Sequence, residues 1–394
     1  MKNDHGTSGA AVILHALGVN FHPMHRNAAI EVSAAALSHF DTIIDARTPS
    51  EFAEDHIPGA VSAPVLDDAE RTEVGTLYKQ VSPFEAKKLG AALVAKNVAR
   101  HIEAHFRECP KDWKPLVYCW RGGKRSNAMA HILREVGWEA STLEGGYRAY
   151  RRYVVDALQK VPATLEFHVV HGPTGSGKSR LLMALKRAGA QALDLEELAA
   201  HRGSVLGTLP GRPQPTQKLF ESRVLAELAA FDPARPVFVE GESKKIGQLH
   251  VPDALIERMR ASACVRLETA METRVELLLD EYRHFLHDRA TLNAQLDCLH
   301  ALHGHERIAE WKMLAARSNW KALVERLLVQ HYDPAYRRSS FRNFTRLPEA
   351  AVVDISSLAS FARAAAALHA GARTARANLA ACMPCSPRRS PRAC

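Results

Sequence analysis

The 394-residue chain has no long apolar run: nothing approaches the ~20 residues a membrane-spanning helix needs. The apolar stretch 10–19 is broken by His15, preceded by one Lys and followed by no small-residue cleavage site. It reads as part of the mature chain and not as a signal peptide, which makes the expected location cytoplasmic and the expected membrane role none. A disulfide framework is also missing. Of seven cysteines, Cys109, Cys119, Cys264 and Cys298 are scattered, and Cys382, Cys385 and Cys394 crowd the C-terminus. Cys382 and Cys385 have metal-ligand spacing but no second pair beside them, and a structural zinc wants four ligands, so no metal site is expected there. No internal repeat is visible. The net charge of +9 is uneven: the last 24 residues, from Gly371, hold five arginines and no acid. The remainder is only mildly basic, which permits a polyanionic partner without requiring one.

What is present is an alternation of short apolar runs and helical periodicity, the pattern of a parallel α/β sheet. Strands are expected at 42–46, 115–118 and 140–143, with helices from Pro49, over 84–107 and over 127–136. After a link at 161–164, further strands are expected at 165–170, 190–193, 237–240 and 264–267. Residues 271–330 read as almost all helix. Two domains follow: one at 39–158 after an extension of 1–38, and one at 165–345. An Ala/Arg-rich segment 346–394 is expected to be a disordered tail.

Two anion-cradling loops of different chemistry lie about fifty residues apart. In the first, Cys119 follows a strand and precedes Trp120, Arg121, Gly122, Gly123, Lys124, Arg125 and Ser126, with Ser126 expected to cap the next helix. Inward backbone N–H groups and a helix N-terminus favour thiolate over thiol, and Arg121, Lys124 and Arg125 add positive charge. Cys119, Arg121 and Arg125 are therefore the candidate catalytic residues, and Gly122, Gly123, Lys124 and Ser126 the anion loop. The second loop is Gly-x-x-x-x-Gly-Lys-Ser between strand and helix. Gly172, Gly175, Ser176, Gly177, Lys178 and Ser179 are expected to bind phosphate, and Ser179 suits Mg²⁺. Asp194 and Glu240, at strand ends, are the candidate metal- or substrate-associated acids, or else ordinary strand-end charges. Arg202, Lys244 and Lys245 are candidate RNA contacts, or else parts of solvated loops. His300, His303 and His305 read as surface histidines. Tyr332 and Tyr336 either stack a base or end the helical region.

The first domain resembles the rhodanese family. Asp45-Ala46-Arg47, Glu51-Phe52, His56-Ile57-Pro58-Gly59-Ala60 and Glu144-Gly145-Gly146-Tyr147 carry the likeness. The resemblance implies a structural role for Asp45 and Arg47. One departure is the loop length: five residues separate Cys119 from Arg125, where a usual sulfur-transfer loop has four. That spacing is also the phosphatase one, and a wider loop suits a larger atom such as selenium.

The fusion of this domain to a phosphate-loop domain resembles tRNA 2-selenouridine synthases, over about residues 40–338. The likeness adds Asp194-Leu195-Glu196, His201-Arg202-Gly203-Ser204 and Tyr332-Asp333-Pro334-Ala335-Tyr336 to the two loops, and the loop length agrees with it. It implies a rhodanese-like parallel-sheet domain followed by a P-loop NTPase-like α/β domain with a helical C-terminal region. It further implies a transferase acting on a 2-thiolated wobble uridine in the tRNA anticodon. Geranyl diphosphate and selenophosphate would be co-substrates, with Mg²⁺ allowed and ATP not assumed, and an enzyme that supplies selenophosphate is a candidate partner. The alternatives are a rhodanese-type sulfurtransferase or Cys-x5-Arg phosphatase fused to a nucleotide-binding domain, and a non-catalytic RNA-binding module.

Overall fold

Pro115-Leu116-Val117-Tyr118 is buried at every residue, as a central strand of a parallel sheet covered on both faces must be. In the computed structural model, which describes residues 29–381, this run is the middle of a five-stranded sheet. The strands are β1 (Ala29–Ile30), β2 (Thr42–Asp45), β3 (Val61–Ser62), β4 (Pro115–Tyr118) and β5 (Ser141–Leu143). They are parallel throughout, in the order β1-β5-β4-β2-β3. The chain leaves β2 toward one edge and β4 toward the other. Their carboxyl ends therefore flank the point where the winding reverses, the usual ligand crevice of such sheets. Residues 45–47 and the Cys119 loop lie there.

Local chemistry starts and stops the helices around this sheet. Thr48 and Glu51 form a capping box on Pro49–Glu54, with Pro49 at the first position. The helix Lys124–Val136 ends at Gly137, whose φ of 107° lets its N–H bond back to Leu133 and Arg134. It begins three residues earlier than expected, with Gly123 and not Ser126 at the cap position. Val98, Val117, Met129 and Leu133 fill one side of the sheet, and Trp113 meets Trp138 edge-on at 5.0 Å.

The chain divides into two units between Tyr153 and Val154. In the second unit the strands are β6 (Phe167–His171), β7 (Gln191–Leu193), β8 (Val237–Glu240), β9 (Lys245–Ile246), β10 (Leu249–His250), β11 (Ala263–Thr269) and β12 (Ala351–Ile355). β9 and β10 form a small antiparallel ribbon. The others make a parallel sheet in the order β12-β11-β6-β8-β7. The helical region expected at 271–330 is present, with Leu292, Leu296, Trp311 and Leu323 among its core residues. Among the described residues no helix is long and apolar enough to cross a membrane.

Three expectations are corrected. Residues 29–38 are not all extension: Ala29 and Ile30 pair with Thr142 and Leu143 as an edge strand too short to show a sequence period. Residues 161–164 are no open link but the last turn of the helix Gly146–Thr164, which contains Pro162. Tyr150, Val154 and Leu158 are buried at helical spacing and carry that helix onward. Pro162 has no N–H to donate to the Leu158 carbonyl four residues back, and the helix ends two residues after it. Third, residues 346–381 are not a disordered tail. β12 pairs with β11 in the register Val265↔Ala351 to Thr269↔Ile355, and the helix Ser360–Ala381 follows. Phe361 and Ala365, one turn apart, pack with Leu181 and Leu185. Alanine gives little hydrophobic signal but forms helix readily, so a small buried face suffices once a neighbour supplies the apolar partner. The cysteines at 382, 385 and 394 lie outside the described residues.

Candidate functional site

Cys119 sits directly at the end of β4 and is only 3% exposed. The Gly123 N–H donates to its Sγ at 3.3 Å, and Ser126 Oγ lies 3.2 Å from the same sulfur. This explains why Ser126 does not cap the helix: its hydroxyl is held between Sγ and the Gly123 carbonyl, at 3.1 Å. Burial pushes the thiol pKa up. The Ser126 hydroxyl and the N–H groups of Ser126, Gly123 and Arg121 outweigh it, and the net shift is downward. The chain turns tightly beneath the loop. Gly146 has φ +57°, and any Cβ there would collide with the Cys119 carbonyl and the Gly122 nitrogen. From the same turn, Tyr147 and Arg148 donate backbone bonds to the carbonyls of Cys119 and Trp120, at 2.8 and 3.1 Å.

Arg121 and Lys124 are exposed on the loop. Arg125 is engaged: its guanidinium makes bonds of 2.7 and 3.3 Å to the two oxygens of Glu51. Burial raises the Glu51 pKa, but Arg125 and the Thr48 N–H bring the carboxyl below its usual range. Asp45 and Arg47 form a buried scaffold. Arg47 is bidentate on Asp45, donates to the Asp55 carbonyl at 2.5 Å, and lies 4.0 Å from the Tyr147 ring centroid. Tyr147 in turn donates to Asp55 at 2.8 Å. These contacts tie the end of β2 to the 144–147 turn, whose backbone in turn holds the Cys119 loop.

The second loop joins β6 to the helix Lys178–Arg187. Gly177 has φ +85° and lies against Phe361, leaving no room for a side chain. Lys178 Nζ bonds the Gly172 carbonyl at 3.1 Å, and Ser179 Oγ donates to Glu196 at 3.2 Å. Over the loop is a cleft of about 1140 Å³, lined by Gly172, Gly175, Gly177, Lys178 and Ser179. Ser176 is fully buried instead, below the loop. Backbone donors, an ammonium and a helix N-terminus in one concavity can hold a chain of phosphates.

The acids behave differently from one another. Asp194 lines the cleft, but its carboxylate caps the helix Leu195–Leu198 by accepting the Glu197 N–H at 2.8 Å. Glu240 is fully buried and accepts the Glu196 N–H at 2.8 Å. Sequence reasoning did not single out Glu196 and Glu242 as the acids nearest the loop. They share a hydrogen bond, and both lie close against Gly203. Burial, and for Glu196 also the charge of Glu242, pushes their pKa values up, so the pair retains a proton more readily than exposed carboxyls do. His171, which precedes the loop, is fully buried, and desolvation together with Lys178 lowers its pKa to about 3, leaving it neutral.

A further element that sequence did not reveal is Arg274. It is 5% exposed, donates twice to the Thr174 carbonyl of the loop (3.0 and 2.8 Å), and is bidentate on Asp333 (3.0 and 2.6 Å). The Tyr-Asp-Pro-x-Tyr segment is thereby fastened to the phosphate loop, and Tyr332 and Tyr336 line the cleft. Arg202 also lines it, 5.0 Å from the Tyr282 ring centroid and 3.8 Å from Glu281. Lys244 and Lys245 are exposed and outside the cleft lining, and Lys244 is paired with Asp253 at 2.7 Å. His303 lies 2.9 Å from His331, and no metal-binding cluster occurs among the described residues.

Two family models match: a rhodanese-like domain over residues 31–153 and a tRNA 2-selenouridine synthase AAA domain over 165–351. The chain is 35% identical to the tRNA 2-selenouridine synthase of Marinobacter nauticus over 323 residues, covering 75% of this chain and 87% of that one. It is 34% identical to that of Sulfurovum sp. over 333 residues, covering 77% and 90%. The match to the enzyme of the same name from Nitrosomonas europaea is 34% over 244 residues, covering 61% of this chain and 63% of that one.

Proposed function

The chain belongs to the tRNA 2-selenouridine synthase family, and from that premise we propose that it converts a 2-thiolated wobble uridine of tRNA to 2-selenouridine. The conversion runs in two steps. The thiocarbonyl sulfur first attacks the allylic carbon of geranyl diphosphate, forming a C–S bond as diphosphate leaves. The selenium of selenophosphate then adds at C2 and geranylthiolate leaves, since an alkylated sulfur departs more readily than a thiocarbonyl one, and water cleaves the P–Se bond to release phosphate. The loop 172–179 holds the diphosphate: charge develops on it as the C–O bond breaks, and fixed N–H donors with Lys178 stabilise that charge. Cys119 serves the selenium step from within an anion nest, whose N–H groups and lowered thiol pKa suit a site that holds selenophosphate. The anticodon base must leave its stack to be reached.

The observation that carries this reading is the Cys119 environment, where hydrogen-bond donors outweigh the cost of burying a thiolate. A Cys-x5-Arg phosphatase would aim its arginine at the ester, whereas Arg125 is committed to Glu51. Nucleoside mass spectrometry of 2-thiolated tRNA, incubated with the protein, geranyl diphosphate and selenophosphate, tests the proposal. Geranylated and then selenated uridine should appear. Cys119→Ser should abolish selenation and spare geranylation, and Lys178→Ala should slow geranylation by two or more orders of magnitude, on the order of ~3 kcal/mol. Equal loss of both steps in both variants would sink this division of labour.

A further inference from the structure

A narrow apolar crevice opens beside the phosphate cleft of the second unit. The two spaces share a wall made of Thr174, Leu278, Tyr282 and Tyr332. Tyr282 separates them by chemistry. Its hydroxyl is 3.2 Å from Ser204 Oγ, on the cleft side, while its ring stacks on Phe285, which lines the crevice alone. Beyond this wall the crevice is bounded by aliphatic residues of the helical region, Val324 and Leu327 among them, and no charged side chain lines it. Its volume is about 60 Å³ against 1140 Å³ for the cleft, so it takes a few carbons and not a whole ligand.

A nucleobase is a poor occupant, because its polar edges would find no partners among these side chains. Cavities with such linings stay dry and accept hydrocarbon. A phosphate cradle that shares a wall with an apolar slot suits a diphosphate head carrying an alkyl tail. We infer that the crevice receives the far end of the tail of a prenyl diphosphate whose head lies on the loop 172–179, and that Val324, on the helix Trp320–Leu327, limits the length of that tail. This rests on the reading of the loop as a diphosphate holder given above.

Calorimetric titration of the full chain with inorganic pyrophosphate, dimethylallyl diphosphate and geranyl diphosphate tests it. Each methylene buried should tighten binding about fourfold, so geranyl diphosphate should bind at least about tenfold more tightly than pyrophosphate. Val324→Phe, which fills the slot, should remove most of that gain and leave pyrophosphate affinity unchanged. Equal affinities for pyrophosphate and geranyl diphosphate in the unaltered protein overturn the crevice and leave the diphosphate reading standing. A gain that survives in a folded Val324→Phe variant places the tail elsewhere and also overturns it. Failure of every diphosphate to bind overturns both readings. Should the variant not fold, the chain-length series on the unaltered protein decides the matter.

Discussion

At the scale of the residue, the chemistry of Cys119 is a balance between burial and donated hydrogen bonds. Burial alone would make this thiol inert, yet the Ser126 hydroxyl and three backbone N–H groups reverse the shift. Ser126→Ala removes the side-chain donor and leaves the desolvation. The Cys119 pKa should then rise, because the desolvation is no longer offset by the hydroxyl. The sign follows from what is stabilised: the hydroxyl favours the thiolate, so its loss moves the titration to higher pH. Alkylation rates of Cys119 measured from pH 5 to 10 should shift in that direction, and an unchanged profile would remove Ser126 from the mechanism. The same logic applies to Glu196 and Glu242 beside Lys178, where burial, and for Glu196 also the charge of Glu242, pushes the carboxyl pKa values up.

At the scale of the element, the phosphate loop depends on segments far from it in sequence. Arg274 ties the Thr174 carbonyl to Asp333 through donors on three nitrogens. Arg274→Ala leaves a mostly buried Asp333 carboxylate and a loop carbonyl without partners. It should cost about 3 kcal/mol in denaturant unfolding and weaken pyrophosphate binding. Arg274→Lys should not restore either, because an ammonium cannot present the same planar fork. A full rescue by lysine would mean that charge alone matters at this position. The C-terminal strand and helix are a second dependence. Ending the chain at Thr345 removes Ile355, Phe361 and Ala365 from the core they share with Leu181 and Leu185. At ~1.5–3 kcal/mol for each large side chain, the loss is a sizeable part of the ~5–15 kcal/mol that holds a domain together. The truncated chain should aggregate or melt well below the full chain in circular dichroism; equal melting temperatures would make β12 and its helix an appendage.

At the scale of the whole molecule, two kinds of anion chemistry are carried on separate parallel sheets. The Cys119 loop follows β4 in the first unit, and the phosphate loop follows β6 in the second. A tRNA substrate brings its own electrostatics. The net charge of +9 is concentrated toward the C-terminus, where five arginines from Gly371 onward meet no acid. Affinity for tRNA should fall steeply as salt rises, at roughly 0.7–0.9 in log–log slope per phosphate contact. Deleting residues 382–394, which hold three of those arginines, should flatten the slope if they reach phosphates. Filter-binding across a salt series would show it, and an affinity independent of salt would contradict a binding mode built on the phosphate backbone.

The sequence alone determined what is local. The α/β alternation, the two strand–loop–helix motifs and the positions of Cys119, Lys178 and Ser179 on their loops could all be read, because a few consecutive residues encode each. Charge, cysteine spacing and the absence of long apolar runs were equally legible, since they are sums over the chain. The tertiary structure alone decided what depends on distant segments meeting. It seated Ser126 against the thiol instead of at a helix cap, and it put Arg125 on Glu51. It brought Glu196 and Glu242 to one point beside the phosphate loop and fastened that loop to Asp333 through Arg274. It also turned an Ala-rich stretch with little signal of its own into a strand and a helix of the second sheet. The physical reason is the same in each case: a hydrogen bond or a buried contact is an interaction in space, and segments a hundred residues apart leave no periodicity in sequence to announce that they will touch.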